Sequence, residues 1–144
     1  MSGIELPPYR RPFYLAAVAV GGGVGAEIRY QLTNAVAPAM SAPAITFVIN
    51  IVGSLLLGVL LESLALHGPD TGRRRTLRLL LGTGLMGGFT TYSTLALDTA
   101  SYLDGGHVGV AIGYGVGSVV AGALAAAVGV WLSITIRRRR VAAE

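Results

Sequence analysis

At 144 residues the chain is one domain's worth, yet 53% of it is hydrophobic, only 12% is charged, and its mean hydropathy is +0.65. That composition excludes an ordinary soluble domain and indicates an all-α integral membrane protein, 1–144, in which charges sit at the ends of apolar runs. The net charge of +4 could suit nucleic acid, but the basic residues form juxtamembrane clusters whose partners are anionic headgroups; the absence of cysteine rules out disulfides and thiolate metal sites.

Residues 1–12 are polar and proline-bearing and are read as extramembrane. Arg10-Arg11, the apolar run from Phe13 and Ala37-Pro38-Ala39 imitate a secretory signal with its cleavage site, but Glu27 and Arg29 interrupt the pattern, so it is read as a retained helix. The first helix is placed at 13–36, thinned by Gly21-Gly22-Gly23-Val24-Gly25. Glu27 and Arg29 in its second half fit two readings, as functional charges facing a partner or cavity, or as charges that snorkel to the interface. After a loop with two prolines, the second helix covers 44–66. Thr46, Asn50 and Ser54 lie four residues apart and stack on one face, either as interhelical glue or as a pore lining.

The polar loop around His67–Arg75 leads through Arg73-Arg74-Arg75 and Arg78 into a third helix at 77–102. The centre of that helix reads GTGLMGGFTTYST over Gly82–Thr94. Gly87-Gly88 lowers helix propensity by roughly 1 kcal/mol per glycine, and the hydroxyls of Thr90 to Thr94 compete for backbone groups. Backbone freed in lipid needs protein, water or an ion to satisfy it, so the pattern predicts a helix broken near its centre; close packing of small residues is the other reading. Asp98 follows about a turn later, and a fourth helix is placed at 109–136, with Tyr114 and Ser118 one turn apart. His67 and His107 are read as solvated loop residues. No soluble domain, internal repeat, activated nucleophile, carboxylate pair or metal-ligand cluster is legible, so an enzyme is not expected.

All eleven basic residues are arginine, and with four crossings ten of them fall on one side, leaving only Arg29 near the other. Both termini are therefore expected in the cytoplasm, in a multi-pass cell-membrane protein. Four short helices enclose little polar space, so an oligomer is expected.

Three motifs then carry a resemblance. Gly22-Gly23-Val24-Gly25-Ala26-Glu27-Ile28-Arg29-Tyr30, Thr46-Phe47-Val48-Ile49-Asn50-Ile51-Val52-Gly53-Ser54 and Gly87-Gly88-Phe89-Thr90-Thr91-Tyr92-Ser93-Thr94 resemble, in order, the signatures of the CrcB/Fluc family of small fluoride channels. The resemblance implies an antiparallel dimer of four-helix subunits whose broken third helices cross around one structural Na⁺, held by the backbone carbonyls of Gly87 and Thr90. It implies fluoride-selective passive efflux along a pathway with neutral donors at Asn50, Ser54, Ser93, Thr94, Tyr114 and Ser118, together with Tyr92, and with Arg29 in an aqueous vestibule. Neutral donors let a strongly hydrated anion leave as well as enter.

Two departures stand out. The positions of the family's two phenylalanines hold Tyr92 and Leu95, and Leu95 has no polarised ring edge; the track beyond Ser118 continues as Gly122 and Ala126. With the ten-to-one arginine split, these departures favour a chain that pairs with a related, oppositely inserted chain, in place of a dual-topology homodimer. Two rival functions are weighed: a proton-coupled multidrug exporter using Glu27, which leaves Gly87–Thr94 unexplained and is disfavoured because Arg29 beside Glu27 is expected to hold it ionised and paired, and a non-conducting or one-pore partner subunit.

Overall fold

The structure, a computed structural model, describes residues 11–143, so the extramembrane reading of residues 1–10, Arg10 included, lies outside the described residues. Every regular element among the described residues is helical: α1 (Pro12–Val36), α2 (Ala42–Leu66), α3 (Gly72–Leu77), a π-helical stretch (Arg78–Met86), α4 (Gly87–Phe89), α5 (Tyr92–Asp104) and α6 (Val108–Val141). They amount to four helical columns, of which the third is built from α3, the π stretch, α4 and α5. Among the described residues, α2 and α6 contain 18-residue stretches of mean hydropathy 2.4 and 2.2 and are long and apolar enough to cross a membrane. Large apolar side chains face outward along the columns, among them Val116, Val119, Leu124 and Trp131 on α6, so the surface is suited to lipid. This is a membrane protein.

The helix ends follow local chemistry. Pro12 and Pro43 occupy first-turn positions of α1 and α2, where a missing N–H costs nothing. Between α5 and α6 only residues 105–107 intervene: Gly106 takes φ 77°, its N–H reaches Leu103 O at 2.9 Å, and His107 N–H reaches Tyr102 O at 2.8 Å. This paired closure satisfies the last carbonyls of α5 and demands the left-handed conformation that glycine adopts freely. At the other end of the molecule, Arg78 forks onto Asp70, with Nε–Oδ1 at 3.0 Å and Nη2–Oδ2 at 2.8 Å. Its hydrogen bonds hold the Asp70 carboxyl below the usual carboxylate range, and they fix the loop between α2 and α3.

Packing divides the third column. Before residue 90 it lies against α1; after it, α5 leans on α6 and α2, while α2 and α6 form the largest helix pair. The first contact is backbone on backbone: a Cβ on Gly21 would run into Leu80 O, and one on Gly88 into Gly22 O. Close approach through small residues therefore accounts for Gly88. Gly87 is different, because it is exposed and a Cβ there would meet nothing. The small apolar core between the columns is Ile45, Ile49 and Phe89, with Val36 packed on it.

The glycine pair does not itself interrupt the column. Gly87–Phe89 stays helical, and the backbone becomes extended at Thr90 (ψ 162°) and Thr91 (φ −145°, ψ 119°) before α5 begins. The nine-residue π stretch ahead of it was not foreseen from the sequence.

Candidate functional site around Thr90 and Thr91

The two extended residues are held by side chains from far along the chain. Thr91 N–H donates to Asn50 Oδ1 at 2.8 Å, and Asn50 Nδ2 donates to Thr91 O at 2.9 Å. Because the amide N–H can only donate and the carbonyl can only accept, this pair also fixes the orientation of the Asn50 side chain. A third bond comes from α1, where Arg29 Nε donates to Gly88 O at 3.1 Å. Three of the polar groups freed by leaving the helix, Gly88 O and the N–H and C=O of Thr91, are thus met from two neighbouring columns.

Thr91 then starts the next helix. Its Oγ1 accepts from Thr94 N–H at 3.1 Å and lies 2.9 Å from Thr94 Oγ1 and 3.2 Å from Ser93 Oγ. This is an N-cap of the usual Ser/Thr kind, worth about 1 kcal/mol. Thr91 was absent from the expected site, although threonine is among the residue types that favour the N-cap position ahead of a helical run. Asn50 and Thr91 together divert two ladder donors. The N–H that would reach Gly87 O goes to Asn50, and the N–H that would reach Thr90 O goes to the Thr91 hydroxyl.

A groove of about 370 Å³ runs beside this point, lined by Asn50, Ser54, Thr90, Thr91, Tyr92, Leu95 and Ser118, and continued by Gly122 and Ala126. Four residues expected to form an anion pathway, Asn50, Ser54, Tyr92 and Ser118, therefore meet in one place. Their chemistry is unequal. Asn50 retains a second N–H. Ser54 Oγ makes no hydrogen bond among the described residues and stands opposite Gly122, whereas Ser118 Oγ is buried and donates to Tyr114 O at 2.6 Å. Tyr92 is 80% exposed on the single chain, and Leu95 is buried at the groove wall.

The remaining expected residues stand elsewhere. Ser93 and Thr94 belong to the Thr91 cap. Tyr114 Oη lies 3.0 Å from Asp98 Oδ2 and 3.2 Å from Pro43 O, so its one proton is engaged with those two acceptors outside the groove. Arg29, expected in an aqueous vestibule, is half-buried with its Nε on the Gly88 carbonyl. The expected pairing of Glu27 with Arg29 is not formed. Residues two apart on a helix point to different faces, and Glu27 instead accepts from Gln31 Nε2, one turn on, at 2.7 Å. His67 is not merely solvated either, since its Nδ1 bonds Ser63 O and its carbonyl accepts from Arg74.

An all-helical membrane protein with extended backbone cross-braced beside a polar-lined groove shares a feature with channels and transporters built on interrupted helices. Residues 16–130 match the family described as CrcB-like protein, Camphor Resistance (CrcB), and the chain belongs to that family. Among its relatives, fluoride-specific ion channel FluC 2 of Leifsonia xyli subsp. xyli is 47% identical over 123 residues, which cover 85% of each chain. The fluoride-specific ion channel FluC of Novosphingobium aromaticivorans is 46% identical over 127 residues, covering 85% of this chain and 94% of that one. FluC 1 of Cutibacterium acnes is 44% identical over 118 residues, covering 81% and 82%. The family read from three sequence motifs is the family the comparisons give.

Proposed function

We propose that this chain is a subunit of a fluoride-specific ion channel that lowers cytoplasmic fluoride by passive efflux. The observation that carries the reading is the groove at Thr90–Thr91, where the free N–H of Asn50 and the unengaged hydroxyl of Ser54 line one surface. Fluoride is small and a strong hydrogen-bond acceptor, and neutral donors can replace part of its water without trapping it. The pathway is assigned to Asn50, Ser54, Tyr92 and Ser118, with Ser93, Thr94, Tyr114 and Arg29 acting on it from behind. Arg29 and the hydroxyls of Ser93 and Thr94 shape the backbone that carries the groove, and Tyr114 holds α6 against α2 and α5.

The groove is open on a single chain, and Tyr92 beside it is exposed, which supports completion by a second subunit. In this reading the third column is a broken membrane crossing, two subunits meet antiparallel there, and the exposed Gly87 lets them approach. Gly87 O and Thr90 O have lost their ladder donors and fit a hard cation that prefers oxygen ligands. A Na⁺ ion held by these carbonyls from both subunits would supply the positive charge that joins the two breaks. Both termini lie in the cytoplasm, from the ten-to-one arginine split.

The test is fluoride efflux from proteoliposomes, with chloride as the control anion and with Na⁺ or a large organic cation in the purification buffer. Fluoride efflux without chloride efflux, together with a higher melting temperature in Na⁺, is the expected result. Efflux of neither anion by any assembly containing this chain overturns the reading. A second reading is favoured by the arginine split and by Leu95: the chain works only with a related chain inserted the other way. Efflux would then require co-expression of both.

A further inference from the structure

At the end of the molecule opposite the α5–α6 turn, a cleft of about 630 Å³ opens between α2 and α6. Its lining combines apolar side chains, Leu66, Ile136 and Val141 among them, with the exposed Arg137, Arg140 and His67. The floor is polar but closed. Ser133 is buried, its Oγ donates to Val59 O at 3.0 Å and lies 3.2 Å from Ser63 Oγ, so neither backbone nor hydroxyl there is left open.

Three observations select what the cleft would take. First, α6 has 34 residues and is about 51 Å long, well beyond the ~30 Å of hydrocarbon, so its last turns stand at a headgroup boundary. Second, Arg137 and Arg140 are three residues apart on that helix and face the same cleft, with no carboxylate in ion-pair range of either among the described residues; Glu62 lines the adjoining cleft with Arg137 and Arg138. Third, His67 is held in place by its bond to Ser63 O and by Arg74 on its carbonyl, so the rim is built and not merely a solvated tail. Guanidinium pairs recognise phosphate in a forked geometry, and the neighbouring apolar side chains suit the first methylenes of an acyl chain.

We infer that this cleft binds the phosphate-bearing headgroup of an anionic membrane lipid, with Arg137 and Arg140 on the phosphate and Leu66, Ile136 and Val141 against the chains. The site is separate from the groove at Thr90–Thr91 and does not depend on what passes there. Free phosphate shares the headgroup chemistry but would make no use of the apolar side chains.

The test uses the full-length protein in neutral detergent, with binding of phosphatidylglycerol, phosphatidylcholine and inorganic phosphate measured by titration. Two double variants of equal charge are compared: Arg137→Gln with Arg140→Gln, and Arg138→Gln with Arg139→Gln. The expected result is phosphatidylglycerol binding weakened at least tenfold by the first pair and less than twofold by the second, with phosphatidylcholine binding weak throughout. Equal losses in the two pairs would mean diffuse attraction to a basic tail and overturn the site. Inorganic phosphate binding as tightly as phosphatidylglycerol would overturn the lipid and leave a phosphate site. Melting temperatures of both double variants within a few degrees of the parent establish that the comparison is between folded proteins.

Discussion

Asn50 has three hydrogen-bonding capacities of interest, and the structure uses two of them on the backbone of Thr91. Its role is therefore double: it holds the extended residues in place and presents its remaining N–H to the groove. Replacement by leucine keeps the volume but removes both bonds and leaves a buried N–H and C=O without partners, at about 1–3 kcal/mol each. Asn50→Leu is expected to lower stability by about 2–6 kcal/mol, read as a fall in melting temperature, and to abolish fluoride efflux. Wild-type melting and wild-type efflux in that variant would reduce Asn50 to a packing residue. Thr91→Val tests the cap alone: it should cost about 1 kcal/mol while leaving the Asn50 pair intact, because that pair uses only the Thr91 backbone.

At the scale of the helices, the two adjacent glycines separate two roles. Gly88→Ala drives a Cβ into Gly22 O on α1 and should destabilise the isolated chain, by an amount on the order of the 1–3 kcal/mol typical of overpacking. Gly87→Ala meets nothing within its own chain, so it should leave the fold intact and weaken only an assembly that closes over that face. Size-exclusion chromatography and melting curves for the two variants distinguish these outcomes, and equal behaviour would refute the division. The same pair marks how far the sequence was legible. The glycines, the hydroxyl run and the stack of Thr46, Asn50 and Ser54 could be read locally, and they located the unusual segment. The point of departure from helix could not, because it depends on bonds between residues 41 apart in the chain, Asn50 with Thr91, and 59 apart, Arg29 with Gly88. Propensity treats Gly88 as loose backbone, but α1 braces it. The partner of Tyr114 was hidden for a similar reason, since Asp98 lies on another helix.

For the whole molecule, charge is distributed more unevenly than structure. In the proposed arrangement of four crossings, the arginines of the α2–α3 loop and of the α6 terminus share one side, and each opposes inversion of the chain. A cysteine introduced at Pro69 in intact cells is expected to be labelled only after the membrane is permeabilised. Substantial labelling from outside would mean dual insertion and would remove the case for a separate, oppositely inserted partner. Exclusive inside labelling, with fluoride efflux only on co-expression of a related chain, would establish it.

The two-point contact between Asn50 and Thr91 has a consequence for assembly. In extended backbone the N–H and C=O of one residue point the same way, and those of the next residue point the opposite way. Were the third column to dock one residue out of step, so that Asn50 met Thr90, it would face the wrong side of the strand-like segment and lose both bonds together, with no half-satisfied compromise. The contact therefore acts as a parity check within the extended pair, accepting Thr91 and rejecting Thr90.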